Sequence, residues 1–314
     1  MKIAFTSCMH IEQFPEQRVW QQIATEKPDY LFLLGDNIYM DFFPNLGEPE
    51  HWDDSRFQAT MLAKYQKQWA ELNFKALYSS LRQRQNADGG VYGTWDDHDF
   101  AWNNACGVEV PATKQAIARQ LFNQFLQCNP NPDPDQLYYA IPLKHAGEII
   151  GKAIFLDTRS YRDLPGKDGR LLGNAQLQFL KQELDHPYLL TVLCAGTPIR
   201  ATGNGWLRYA QEYSRFLEII GDRKILFLSG DIHENAFLPP SGGTQLFEII
   251  ASGAAIYKYK LIGKRRNYGI LDWSAEAIRV KLVDRRQIQS YTIKHADFLD
   301  YEEHDPQPLD SGKS

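Results

Sequence analysis

The sequence predicts an α/β protein with two sheets packed face to face and helices outside them. Three observations carry this. The run Tyr30-Leu31-Phe32-Leu33-Leu34 is apolar without polar alternation and stops abruptly at Gly35-Asp36, as a strand buried on both faces does. Lys224-Ile225-Leu226-Phe227-Leu228-Ser229 repeats that pattern and stops at Gly230-Asp231. Helical and strand-like stretches alternate up to that point, after which helical periodicity ceases and short strand-like runs follow one another.

In chain order, residues 2–7 read as a first strand, 12–26 as a helix and 30–34 as the next strand, a βαβ unit that sets both strand ends on one edge. A helical stretch over 53–85 carries Met61, Leu62, Tyr65, Trp69, Leu72 and Phe74 at three- and four-residue intervals, and Asp88-Gly89-Gly90 ends it. A third strand at 91–95 closes in Asp96-Asp97-His98-Asp99. Residues 113–128 are helical, and the proline-rich 129–135 forms a surface turn. Residues 137–143 and 148–156 read as a hairpin, 174–184 as a helix capped by Asn174, 189–195 as a strand and 206–220 as a helix. Strands are expected at 245–251, 268–273, 277–283 and 288–293. Residues 1–296 are thus expected to form a single domain, and 297–314 a frayed, polar, acidic tail.

The 314 residues are 43% hydrophobic, ample for a large core, and the formal charge of −5 gives no general attraction for nucleic acid or an anionic membrane, so neither is expected as a partner. No stretch supplies the roughly 20 apolar residues of a membrane span, and the amino terminus is too short and polar for a signal peptide, which predicts a cytoplasmic protein or one whose leader has been removed. Cys8, Cys106, Cys128 and Cys194 have neither metal-knuckle spacing nor the density of a disulfide scaffold.

Four clusters fall at strand ends: Ser7-Cys8, Gly35-Asp36-Asn37-Ile38-Tyr39, Trp95-Asp96-Asp97-His98-Asp99 and Ser229-Gly230-Asp231-Ile232-His233. Carboxylates this dense in a partly dehydrated site repel one another, and cations resolve the repulsion. Carboxylates suit hard cations, whereas thiolate, phenolate and imidazole suit iron or zinc, so a heteronuclear pair is expected, with Asp36 as the bridge. Two such ions would clamp a phosphoryl group and activate a water.

The blocks Ser7-Cys8, Gly35 to Tyr39, Trp95 to Asp99, Leu156-Asp157-Thr158-Arg159-Ser160-Tyr161-Arg162 and Ser229 to Phe237 stand in the order found in the PhoD-like alkaline phosphatases and phosphodiesterases, a branch of the calcineurin-like metallophosphoesterases, which the chain resembles from Ser7 to about Phe237. The resemblance implies a four-layer αββα sandwich of two mixed sheets and a dinuclear centre, iron with calcium, zinc or manganese being the alternatives. It makes Cys8, Asp36, Tyr39, Asp97, Asn103, Asp231 and His233 metal ligands. His98 then assists the leaving group, and Arg159 binds phosphate oxygens. The implied activity is hydrolysis of small phosphate mono- or diesters by a metal-bound hydroxide. The alternatives are a non-catalytic metal- or ligand-binding protein on the same fold, or a hydrolase of another class.

Two departures stand out. The family is typically exported behind a twin-arginine leader with an amino-terminal domain, whereas this sequence starts at the catalytic strand. A histidine expected after the strand at 189–195 is replaced by Gly196-Thr197-Pro198. The basic stretch with Lys258, Lys260, Lys264, Arg265 and Arg266 reads as a solvated turn that could border the pocket and attract an anionic substrate.

Overall fold

The computed structural model describes residues 1–41, 47–131, 133–186, 188–200, 205–259, 262–296, 298–299 and 301–308. In chain order its strands are β1 (Lys2–Thr6), β2 (Tyr30–Leu34), β3 (Gly90–Thr94), β4 (Tyr139–His145), β5 (Glu148–Phe155), β6 (Leu190–Cys194), β7 (Ile225–Ser229), β8 (Asn235–Leu238), β9 (Leu246–Ala251), β10 (Ile256–Tyr259), β11 (Ile262–Arg265), β12 (Tyr268–Trp273), β13 (Ala277–Val283), β14 (Gln287–Lys294) and β15 (Tyr301–Pro308). The helices are α1 (Val19–Thr25), α2 (Asp54–Trp69), α3 (Leu72–Arg82), α4 (Asp97–Phe100), α5 (Ala112–Leu126), α6 (Gly173–Leu184) and α7 (Ala210–Ile220).

One sheet has the order β15-β14-β13-β12-β1-β2-β3 and the other β4-β5-β6-β7-β9-β8, while β10 and β11 pair as a separate hairpin. Both sheets are mixed: β1, β2 and β3 run parallel, as do β5, β6, β7 and β9, with antiparallel strands at the flanks.

Strand alternation builds the layers, because successive side chains leave opposite faces of a sheet. From β2, Tyr30, Phe32 and Leu34 enter a central core with Phe155, Val192, Leu226 and Leu228 of the second sheet. Leu31 and Leu33 face the other way, onto Trp20, Ile23 and Phe74 of α1 and α3. From β7, Ile225 and Phe227 pack outward on Leu177, Leu180 and Phe216 of α6 and α7. Burial on both faces is why these strands read as unbroken apolar runs.

Several elements differ from expectation. The helix expected at 12–26 begins only at Val19, since Pro15 disfavours helical geometry before it. The helix expected at 53–85 is two, because the Glu71 carboxylate accepts the Phe74 N–H at 2.6 Å and starts α3 afresh. Asn174 does not cap α6. Glu212 of α7 does so from across the interface, accepting the N–H groups of Leu171, Leu172 and Gly173. The basic stretch is not a simple turn but contributes the β10–β11 hairpin; Lys260 within it lies outside the described residues. The tail expected to fray instead supplies β15, an edge strand on β14, where Pro306 and Pro308 are tolerated because their missing N–H groups leave no central ladder bond unmade.

Candidate metal centre

The parallel strands deliver their carboxyl ends to one rim, and the chain is stitched there by backbone bonds. Cys8 N–H donates to Gly35 O at 3.2 Å, Met9 N–H to Asp36 O at 3.0 Å, and Gly230 N–H to Gly196 O at 2.9 Å. Four of the expected ligands leave their strands through left-handed backbone: Cys8 (φ 62°), Asp36 (φ 51°), Asp231 (φ 72°) and His233 (φ 57°). Non-glycine residues rarely adopt this conformation, and its concentration at one rim marks a place where side-chain direction is set against local preference. Gly35 (φ 89°) permits the close approach of β2 to β3, since a Cβ there would lie 2.6 Å from Asp96 Cβ. Gly196 does the same from β6, with a Cβ again falling 2.6 Å from Asp96 Cβ.

Three overlapping groups of donor atoms result, the atoms of each within 4.8 Å of one another: Cys8, Asp36 and His233; Asp36, Asp97 and His98; Asp96, Asp97 and Asp231. Asp36 joins the first two groups. Its Oδ2 accepts from Cys8 Sγ at 3.3 Å and from the Tyr39 hydroxyl at 3.2 Å. Among the described residues its Oδ1 is buried with no hydrogen-bond partner, as is Asp96 Oδ2. Orphaned carboxylate oxygens at such depth are costly alone and are what a cation would satisfy.

The electrostatics agree. Burial first, then Cys8 and Asp97, pushes the Asp36 carboxyl well above the usual carboxylate range. Burial, with Asp96 and Asp97 adding to it, pushes Asp231 up to about 7. Burial raises the Cys8 thiol to about 11 against the hydrogen bonds from Ser252 and Ser7, and burial with Asp36 beside it holds the Tyr39 phenol well above its ordinary range. Without cations the site holds protons; with them it would release protons and present anionic donors. The thiol, phenol and imidazole of one side and the carboxylates of the other therefore fit a pair of metal ions, softer donors with the first and hard oxygens with the second.

The remaining expected site residues lie as follows. His98 is held at Nδ1 by Asp41 Oδ1 at 2.6 Å, its ring tilted against Tyr39 at 4.3 Å between centroids. Burial opposes its charge, but Asp97, Asp41 and Asp36 outweigh that and hold the imidazolium well above its ordinary pKa. The Arg159 guanidinium is 2% exposed and is taken up by carboxylates, with Nε 2.5 Å from Asp96 Oδ1 and Nη2 3.7 Å from Asp97 Oδ1. Burial tends to raise Asp97, yet Arg159, His98 and the Asn104 N–H hold it well below the usual range. Asn103 is exposed, its backbone N–H on Asp41 Oδ2 at 2.8 Å. Thr197, standing where the resemblance leads one to expect a histidine, places its hydroxyl 3.0 Å from Asp96 Oδ1.

Two participants escape a reading of the sequence, and a third, Asp96, legible there only as a support for the ligands or a turn cap, carries its carboxylate into the group with Asp97 and Asp231. Asp41 orients His98. Ser252 receives the His233 N–H at 2.9 Å and lies 3.2 Å from Cys8 Sγ. Ser252-Gly253 follows β9 as Gly35-Asp36 follows β2, a signal that could have found it.

A family model described as PhoD-like phosphatase matches residues 3–241. Among solved structures, one described as that of PhoD is similar over 99% of this chain and 73% of its own, at 18% identity with a TM-score of 0.72. A dimetal phosphatase from Danio rerio is similar over 94% of this chain and 99% of its own, at 12% identity with a TM-score of 0.54. At these identities the two likenesses bear on the fold, which they share as paired sheets with flanking helices. A comparison with curated proteins gives no match. No helix among the described residues is long and apolar enough to cross a membrane.

Proposed function

The chain belongs to the PhoD-like phosphatase family, and on that premise we propose that it hydrolyses phosphate mono- or diesters at a centre of two metal ions joined by Asp36. Its class, a metal-dependent hydrolase of phosphoester bonds, is that of the family. The reading of two ions is supported above all by Asp36, a buried carboxylate common to two donor groups with one oxygen lacking any partner.

Cys8, Asp36, Tyr39 and His233 would hold the first ion, and Asp36, Asp97 and Asp231, with Asp96 and Asn103 as further oxygen donors, the second. The donor types favour iron in the first position and calcium in the second, zinc or manganese being the alternatives. Bound there, the ions supply Lewis-acid polarisation of the phosphoryl oxygens and bring the pKa of water toward neutrality.

The chain's own side chains complete the chemistry. His98, braced at Nδ1 by Asp41, gives its Nε2 proton to the departing alkoxide oxygen. Arg159 acts through the carboxylates it grips, fixing Asp96 and Asp97 and offsetting part of their mutual repulsion, so its effect on the phosphate oxygens is indirect. Burial of Cys8, Asp36 and Asp97 keeps the surroundings low in dielectric, where fixed charges act most strongly.

The test is hydrolysis of p-nitrophenyl phosphate and bis(p-nitrophenyl) phosphate by purified protein and by its Asp36→Ala variant. Turnover that disappears on chelation and in the variant supports the reading. Metal bound without turnover of either ester would make the chain a binding protein on this fold.

A further inference from the structure

The metal centre leaves another feature of the same rim unused. Arg265 and Arg266 close β11, Arg285 and Arg286 stand in the turn after β13, and with Glu234 and Asp284 they line a cavity of about 690 Å³. Topology brings these turns to the metal side. Strand β13 runs parallel to β1, since each is antiparallel to β12, and its carboxyl end therefore opens on the rim that carries Cys8. Glu234 directly follows His233 in the chain. The crossover helix α1 begins at that rim as well, next to Arg18.

The charges here are unbalanced. Glu234 is paired with Arg265 Nη2 at 3.0 Å, while Arg265 Nε is buried without a hydrogen-bond partner among the described residues. The Asp284 carboxylate accepts the backbone N–H groups of Arg286 and Gln287 at 2.6 and 2.9 Å, and Glu16 is paired with Arg18 at 2.9 Å. Arg266, Arg285 and Arg286 make no ion pair among the described residues. Burial first, and then Arg285 and Arg18, lower the Arg266 pKa, the mark of like charges crowded together. In a chain of net charge −5, four guanidinium groups against the two carboxylates of Glu234 and Asp284 give this cavity a positive lining.

We propose that this cavity is a second oxyanion site, which takes a phosphate group other than the one being cleaved. Guanidinium forks match phosphate oxygens in pairs, and several from two separate turns converge on one space. The inference rests on the phosphoesterase reading for its place in catalysis. The bound group is either a remote phosphate of the substrate or free inorganic phosphate.

The test uses the metal-loaded full chain and the double variant Arg285→Glu/Arg286→Glu. Both side chains are exposed, and the bonds that hold their turn use backbone N–H groups, so the fold is kept. Hydrolysis of a nucleoside 3′,5′-bisphosphate is compared with that of p-nitrophenyl phosphate, and inorganic phosphate is titrated calorimetrically. The variant should raise KM for the bisphosphate about tenfold or more, the scale of a lost charged hydrogen bond, leave p-nitrophenyl phosphate within twofold, and bind one fewer equivalent of phosphate. Loss of the phosphate equivalent with unchanged bisphosphate kinetics assigns the site to free phosphate. Equal stoichiometry in both proteins overturns the proposal. If neither ester is turned over by the unmodified chain, the phosphoesterase reading fails, and the phosphate titration still decides whether the site exists.

Discussion

Asp41 Oδ1 lies 2.6 Å from Nδ1 of His98, and its other oxygen accepts the backbone N–H of Asn103 at 2.8 Å. One carboxylate thus ties the histidine to the loop that follows α4. Its charge is also among those that keep the imidazolium protonated against burial.

Replacing Asp41 by Asn removes that charge and keeps the shape. His98 should then lose its proton at lower pH, so the alkaline limb of the pH–rate profile moves toward acid. The rate should fall by roughly 10²-fold, the lower range for general acid catalysis. A profile that keeps its position would mean that His98 does not act through its proton.

Arg159 gives a stability prediction. Arg159→Met keeps an unbranched apolar stem but leaves Asp96 and Asp97 facing each other without the guanidinium that grips both. Removing one partner of a buried ion pair costs about 3–5 kcal/mol, read as a lower urea midpoint for unfolding. A variant of unchanged stability with KM alone raised would instead make Arg159 a direct holder of substrate.

Asp231 and Asp36 give a pH dependence whose sign is unusual for carboxylates. Their metal-free pKa values lie above the unfolded value of about 4, Asp231 at about 7. The folded metal-free chain therefore holds more protons than the unfolded one. The contribution of these groups is present below about pH 4 and is lost as pH rises toward 7. Chelated protein should melt at a higher temperature at pH 5 than at pH 7.5, and Asp231→Asn should shrink that difference. Metal uptake runs the other way, tightening across the same interval as protons leave the ligands; calorimetry in two buffers of different ionisation heat measures the release. Affinity independent of pH would remove Asp231 from the ligand set.

Much of this was legible because the strands are buried on both faces. That burial writes itself as unbroken apolar runs, and the polar residues that end them, Asp36, Asp97 and Asp231, stand out at once. Asp41 was not legible, since its partner His98 is reached only when the chain after β2 folds against α4. Arg159 was legible as important but not in its partners, because which carboxylate meets it is decided by the packing of β3 against β5. The break at Glu71 escaped because an apolar pattern continues in period through it, and only the capping bond to Phe74 ends one helix and starts the next.

The most direct measurement is elemental analysis of purified protein and of Asp36→Ala, made alongside turnover of a chromogenic phosphate ester. Two metal ions per chain, at most one in the variant, and turnover lost together with the missing ion are the predicted result. Undiminished turnover from protein that holds no metal, or from the variant, would contradict it.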